Sequence, residues 1–178
     1  TPPPTTGTRD PGLTWLQPDA ITFGAWLTAT QLNATAKVPG TFVYSPPAGS
    51  RLDVGSRTLN VIFTPADSAN FKTVEAWVTI VVNKRVPVIT WPQPDPIRWG
   101  DSMLISTQLN ATADIDGTFR YEPPPLTRLD PGSHVLSVTF TPRRSEWFTQ
   151  ATATVNITVN PRETQIVWSN PASIPYGT

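Results

Sequence analysis

The feature that most constrains this chain is an internal repeat with a period of 77 residues. The segment LTWLQPDAITFG, which begins at Leu13, returns as ITWPQPDPIRWG at Ile89 and as IVWSNPASIPYG at Ile166. The first step is one residue shorter than the second, because the first copy lacks one position between Gly24 and Gln31. Similarity at a fixed period indicates one structural unit repeated along the chain. We therefore expect a tandem array rather than one large domain.

Three further motifs occur in the same order in both complete copies. TQLNATA at Thr30 returns at Thr107, GTFVYSPP at Gly40 returns as GTFRYEPP at Gly117, and RLDVGSRTLNVIFTP at Arg51 returns as RLDPGSHVLSVTFTP at Arg128. These repeats place one domain at 12–84 and a second at 85–160. Residues 1–11 then form a Thr/Pro-rich linker, and residues 161–178 form the truncated start of a third repeat.

The composition favours an all-β fold. Proline accounts for 21 of the 178 residues, and each proline fixes φ and removes a backbone donor, so regular elements must be short. There is no cysteine, which excludes disulfides and thiolate chemistry. The formal net charge is zero, so the chain carries no basic footprint for nucleic acid. It also contains no apolar run of about 18 residues, so we expect no membrane insertion of this segment.

Comparison of the two copies separates core positions from surface positions. Ala76, Val78, Ile80 and Val82 remain apolar in the second copy, whereas the intervening Trp77 and Val81 become threonine. Leu59, Val61 and Phe63 show the same alternation. This period of two predicts a strand with one buried face. In the first copy we expect strands at Leu13–Trp15, Ile21–Phe23, Thr28–Ala34, Thr41–Ser45, Arg57–Thr64 and Val74–Val82. About seven short strands per copy suit a two-sheet sandwich.

The ordered motifs ITW, P-x-x-I-x-[aromatic]-G, QLNATA, GTFxY, LxxG and LxVxFTP resemble the bacterial Ig-like repeats of the MBG-like kind. The resemblance covers 12–160 and the opening of the third copy. It implies an Ig-like β-sandwich that occurs in strings on large secreted or cell-surface proteins. It also implies an extracellular or surface location, neighbouring repeats of the same chain as partners, and no enzymatic activity.

The residues that carry chemistry in enzymes and metal sites are sparse. The one histidine, His134, stands in the place of Arg57, so we expect a solvent-facing strand residue rather than a catalytic base. Asp114 and Asp116 in DIDG offer oxygen ligands for calcium, but the first copy has KVPG there. The acidic positions shared by both copies lie beside Pro or Gly and suit turns. We therefore expect no catalytic residue, no cofactor and no metal site.

Tryptophan is the remaining candidate for ligand contact, because exposed indoles stack on sugar rings and anchor protein partners. Four of the seven tryptophans occupy repeated positions, where core or domain-junction packing explains them: Trp15, Trp91, Trp99 and Trp168. Trp26, Trp77 and Trp147 have no aromatic counterpart in the other copy, and the alternation above points Trp77 outward. Their alternatives are ligand contact, scattered surface apolar residues, or contacts between domains.

The leading hypothesis is a structural spacer that projects or separates other domains of a large exported protein. The alternative is an adhesive module that binds glycan or protein through exposed aromatic residues. Residues 161–178 lack the rest of their sandwich, so we expect them either to pack loosely against the end of the second repeat or to pair with another molecule through strand edges.

Each repeat should fold around its own core, so cutting the chain near Asn83 should leave two domains that each unfold cooperatively. Thermal or urea unfolding of the two fragments tests this expectation. A fragment that is unfolded in isolation would contradict it.

Overall fold

The computed structural model describes residues 9–100, 103–170, 172–173 and 176. The strands are β1 Ile21–Thr22, β2 Gly40–Ser45, β3 Gly55–Pro65, β4 Val74–Asn83, β5 Ile89–Thr90, β6 Ile97–Arg98, β7 Thr112–Ala113, β8 Gly117–Glu122, β9 Gly132–Pro142 and β10 Ala151–Asn160. All regular elements in these residues are strands, which confirms the predicted all-β class. No helix in the described part of the chain is long and apolar enough to cross a membrane.

The chain divides into two compact units. Of the described residues, one unit holds those up to Val88 together with Ala113–Thr118 and Thr141–Ala151, and the other holds those of Ile89–Thr112, Phe119–Phe140 and the segment from Thr152. The repeat bounds 12–84 and 85–160 stay a prediction. Of the expected linker at 1–11, residues 1–8 lie outside the described residues.

The first four-stranded sheet has the order β1-β4-β3-β2. β3 pairs antiparallel with both β2 and β4, and β1 pairs parallel with the end of β4. Leu59, Val61 and Phe63 alternate along β3 and are 0% exposed. Ile80 and Val82 continue this buried face on β4. The predicted core positions are confirmed along β3 and at Ile80 and Val82 of β4, whereas Ala76 and Val78 are half-buried.

The second four-stranded sheet has the order β6-β10-β9-β8, with β6 parallel to the end of β10. Its buried side chains repeat the pattern of the first sheet at Leu136, Val138, Phe140, Ile157 and Val159. β5 and β7 form a separate two-stranded sheet. The apolar alternation of both copies therefore selects equivalent core faces.

The layer that faces the first sheet contains few ladder hydrogen bonds. It is held by the isolated bridges of Thr14 with Thr35 and of Trp26 with Arg51. The strand predicted at Thr28–Ala34 is wrong, because the backbone N–H groups of Gln31 and Leu32 both donate to the Thr28 carbonyl and close a turn. The strand predicted at Leu13–Trp15 is reduced to the single bridge at Thr14.

The glycine of the GTF motif occupies a position with no room for a side chain. Gly40 opens β2 opposite Pro65. A Cβ added to Gly40 would lie 2.5 Å from the Phe63 ring and 2.5 Å from the Thr64 carbonyl oxygen. Because Phe63 is fully buried and cannot move aside freely, the strand requires glycine at this point.

Gly40→Ala should destabilise the fold by about 1–3 kcal/mol, since the added methyl overpacks the core beside Phe63. Urea unfolding monitored by tryptophan fluorescence measures the change. Thr41→Ala, at the exposed neighbouring position, is the matched control and should change the free energy of unfolding by less than about 0.5 kcal/mol. Equal stability of the Gly40→Ala variant and the unaltered chain would show that β2 can shift to make room.

Candidate functional site

A hydrogen-bonded cluster of motif residues that recur in both copies packs against the core of the first unit. The Trp15 indole N–H donates to the Gln31 carbonyl oxygen at 3.1 Å, and the Trp15 ring lies edge-on to Tyr44 with centroids 5.3 Å apart. The Tyr44 hydroxyl accepts the backbone N–H of Ala34 at 3.0 Å. The Gln31 side-chain carbonyl accepts the backbone N–H of Thr28 at 3.0 Å. This cluster satisfies polar groups and holds the turn in place.

The same cluster recurs in the second copy of the motifs. The Trp91 indole donates to the Gln108 carbonyl oxygen at 2.9 Å, and Trp91 lies edge-on to Tyr121 at 5.4 Å. The Tyr121 hydroxyl accepts the backbone N–H of Ala111 at 3.0 Å. The side chain of Gln108 accepts the backbone N–H of Ile105 at 3.1 Å. Trp15 and Trp91 are therefore structural residues, in line with their repeated positions.

The surroundings of the two tyrosines in these clusters change the pKa of each hydroxyl group. Burial raises the pKa of Tyr44 and of Tyr121, although the backbone N–H that donates to each hydroxyl lowers it in part. Both phenols therefore stay protonated at neutral pH. They act as fixed hydrogen-bonding groups rather than as acids or bases.

The expectation that His134 points to solvent is wrong in part. Its side chain is half-buried, and Nε2 lies 2.7 Å from the carbonyl oxygen of Asp130, which can only accept, so the ring nitrogen donates. Arg57 makes equivalent hydrogen bonds in the first copy, where Nε donates to the Asp53 carbonyl at 3.0 Å and Nη2 donates to the Val54 carbonyl at 2.9 Å. Both side chains close the turn before a core strand.

Asp114, the calcium candidate, is engaged by protein groups. Its carboxylate accepts a hydrogen bond from Arg85 Nη1 at 2.5 Å and another from the backbone N–H of Val88 at 2.9 Å. The Arg85 hydrogen bond is the main reason that the pKa of Asp114 lies below its usual value. Among the described residues, no group of three or more carboxylate or imidazole side chains is placed to hold a metal ion.

A cavity of about 360 Å³ adjoins Asp114 within the first unit. Its lining consists of Asp114, Ile115, Asp116, Arg143, Arg144 and Phe148. Two carboxylates and two guanidiniums give this lining no net formal charge. One carboxylate is already paired with Arg85, which lies outside the lining set.

Of the three unmatched tryptophans, Trp26 and Trp147 have a ring that is partly covered. Trp26 is 53% exposed, and the guanidinium carbon of Arg51 lies 3.9 Å above its ring centre. Trp147 is half-buried within the first unit, where it stacks on Phe23 with centroids 5.3 Å apart and planes 10° apart. Arg144 lies 4.8 Å from the Trp147 ring centre. Trp147 is thus part of an aromatic stack.

Trp77 has a different environment from the other two. It lies on the outer face of β4, opposite Asn60 of β3, and is 61% exposed. The outward orientation predicted from the alternation is confirmed. The three candidates therefore occupy three separate settings, and Trp77 has the most exposed ring.

Core packing, one of the two settings expected for the repeated tryptophans, is wrong for Trp99 and Trp168, whereas packing at a domain junction stays a prediction. Trp99 is 45% exposed and Trp168 is 84% exposed, so neither ring lies in a core. The backbone N–H of Trp99 donates to the Asn160 carbonyl at 2.8 Å, which fixes the main chain but leaves the ring outside. Residues 161–170 are exposed throughout and form no strand, so no packing of this part of the tail against a core is seen. Residues 171, 174–175 and 177–178 of the third copy lie outside the described residues.

No family model matches the sequence, and no curated protein matches it. Among solved structures, the chain is similar to the fibronectin(III)-like modules of Clostridium thermocellum CbhA, with 14% identity over 89% of this chain and 100% of that chain and a TM-score of 0.30. It is also similar to Drosophila N-cadherin EC1-4, with 14% identity over 86% of this chain and 50% of that chain and a TM-score of 0.34. For human protocadherin-24 EC1-2 the identity is 14% over 85% of this chain and 99% of that chain, and the TM-score is 0.30. Likeness at this level supports no conclusion about function.

The Asp114–Arg85 pair predicts a pH dependence of stability. A carboxylate with a lowered folded-state pKa stabilises the fold above its unfolded pKa of about 3.9, and this contribution is lost as pH falls through the folded pKa. Asp114→Asn should therefore be less stable than the unaltered chain at pH 7, by up to about 1 kcal/mol because solvent screens so exposed a pair. Below about pH 3 the difference in urea midpoint should shrink. A difference that is independent of pH would assign the effect to packing instead, and Asp116→Asn is the matched control.

Proposed function

We propose that this chain is a non-catalytic structural spacer of a large exported bacterial surface protein, built from tandem Ig-like repeats. The observation that carries the proposal is the duplicated cluster of Trp, Gln and Tyr. Its members in the first copy, Trp15, Gln31 and Tyr44, bond to one another or to the backbone of their own repeat. What the copies share is therefore used to maintain a fold, as a spacer requires.

Other positions that correspond between the copies also serve to maintain the fold. Arg57 and His134 close equivalent turns, and Gly40 opens its strand where a side chain would meet Phe63. Residues 12–84 and 85–160 are then the two length units of the spacer, and their partners are neighbouring repeats of the same chain. The resemblance in the motifs supports an extracellular or cell-surface location.

Single-molecule pulling on the full chain tests the spacer role. A spacer of two independent sandwiches should give two unfolding steps, each of which releases roughly 25–27 nm of contour length for about 75 residues at 3.3–3.6 Å per residue. Both steps should reappear after relaxation, because each core refolds on its own.

The Gly40→Ala variant is the internal control for this experiment. It should lower the unfolding force of one step and leave the other unchanged, since the added methyl affects the core beside Phe63 alone. A single step of twice the length, or extension without any resolved step, would contradict two independent spacer units.

A second candidate function is adhesion, in which the chain binds a glycan or a protein through an exposed aromatic residue. Trp77 favours it, because its ring is 61% exposed on a sheet face and the second copy has Thr154 at the same position. Trp26 and Trp147 are weaker candidates, since each has a guanidinium over its ring. The two functions are compatible in one chain.

A further inference from the structure

The outer face of the first sheet carries a small mixed surface around Trp77. We define the Trp77 face by the outward residues Val43 and Ser45 of β2, Thr58, Asn60 and Ile62 of β3, and Glu75, Trp77, Thr79 and Val81 of β4. The pairing register places Asn60 directly opposite Trp77 and Ile62 opposite Glu75. Because directly opposite residues point to the same side of a sheet, these side chains share one surface.

The second copy shows that the fold does not need this surface to be apolar. Its corresponding residues are Arg120 for Val43, Thr139 for Ile62, Thr154 for Trp77 and Thr158 for Val81. The buried faces of the same strands are nearly identical in the two copies. The Trp77 face is thus a property of the first copy alone, and core packing does not explain it.

The size of the Trp77 face suits a small ligand better than a protein partner. Three strands about 4.8 Å apart, with outward positions about 6.7 Å apart on β4, give a surface of roughly 10 by 20 Å, or about 200 Å². A specific protein interface or a stable dimer buries about 800 Å² on each partner. A few sugar rings, in contrast, match a surface of this area.

The chemistry of the Trp77 face points to a neutral ligand. Glu75 is the one charged side chain among its nine residues. The indole is bordered by the Asn60 amide across the ladder and by Glu75 and Thr79 on its own strand. An aromatic ring accepts the apolar face of a sugar, while amide, carboxylate and hydroxyl groups bond its hydroxyls. A strongly anionic ligand would find no cation on this face.

From this juxtaposition we infer that the Trp77 face binds a neutral oligosaccharide. One sugar ring stacks on the Trp77 indole, and its hydroxyls hydrogen-bond to Asn60, Glu75 and Thr79. The inference rests on the adhesive role proposed above and is independent of the spacer role.

The test uses the full 178-residue chain on an array of glucose, galactose, mannose and N-acetylglucosamine oligosaccharides, with sialylated and sulfated glycans beside them. The best oligosaccharide is then titrated by isothermal calorimetry against the unaltered chain and two variants, because Trp77→Thr removes the indole that would report binding by fluorescence. Trp77→Thr introduces the residue of the second copy and should weaken binding about tenfold or more. Trp26→Met introduces the second copy's Met103 and should leave affinity unchanged within about twofold.

Asn60→Ser, which introduces the second copy's Ser137, gives a second readout and should weaken binding several-fold. Because each variant carries the residue that the second copy has at the equivalent position, all should keep the thermal midpoint of the unaltered chain. A Trp77→Thr variant that retains affinity would overturn this site but leave the adhesive role, above all if Trp26→Met loses binding. Preference for acidic glycans would overturn the neutral ligand.

Two other outcomes would also overturn the inference. A concentration-dependent dimer that Trp77→Thr abolishes in sedimentation would make a second copy the occupant of the face. Failure of the unaltered chain to bind any glycan would remove the inference and the glycan form of adhesion together. The pulling experiment on the spacer would be unaffected by either result.

Discussion

The interaction on which this structure most depends is the attachment of a turn to a sheet by two aromatic side chains. The layer opposite the first sheet has isolated bridges instead of long ladders, so its backbone groups need other partners. The Tyr44 hydroxyl accepts the N–H of Ala34, and the Trp15 indole donates to the carbonyl of Gln31. Buried polar groups without partners are costly, and these two bonds remove that cost while the same rings fill the core.

The two copies show which positions this arrangement fixes and which it leaves free. With no cysteine in the chain, apolar burial along β3 and β9 carries the cohesion of each sheet. The outer faces of the sheets do not contribute to this burial, and the two copies differ there, as Trp77 and Thr154 illustrate. Residues that differ between the copies are therefore free to serve recognition, whereas the residues that the copies share stabilise the fold.

The alternation of apolar residues was sufficient to predict β2, β3 and β4 to within two residues, because burial imposes a period of two on a strand. The turn at Thr28–Leu32 was missed because side-chain capping by Gln31 leaves no periodic signal. Of the candidate tryptophans, only the outward orientation of Trp77 followed from its strand. The stack of Trp147 on Phe23 joins residues far apart in sequence, and the spacing of motifs cannot reveal such a contact.

Strands of similar sequence in one chain create a hazard for folding, since β2 could pair with β9 in place of β3. The lengths of the connections oppose this exchange. The loop that joins β2 to β3 consists of residues 46–54, nine residues in all. Pairing of β2 with β9 would instead have to close a loop of residues 46–131. By loop entropy the wrong closure costs about 2 kcal/mol more. The short connection after Ser45 therefore favours strand pairing within one repeat, which allows repeats of similar sequence to follow one another in a chain without exchanging strands.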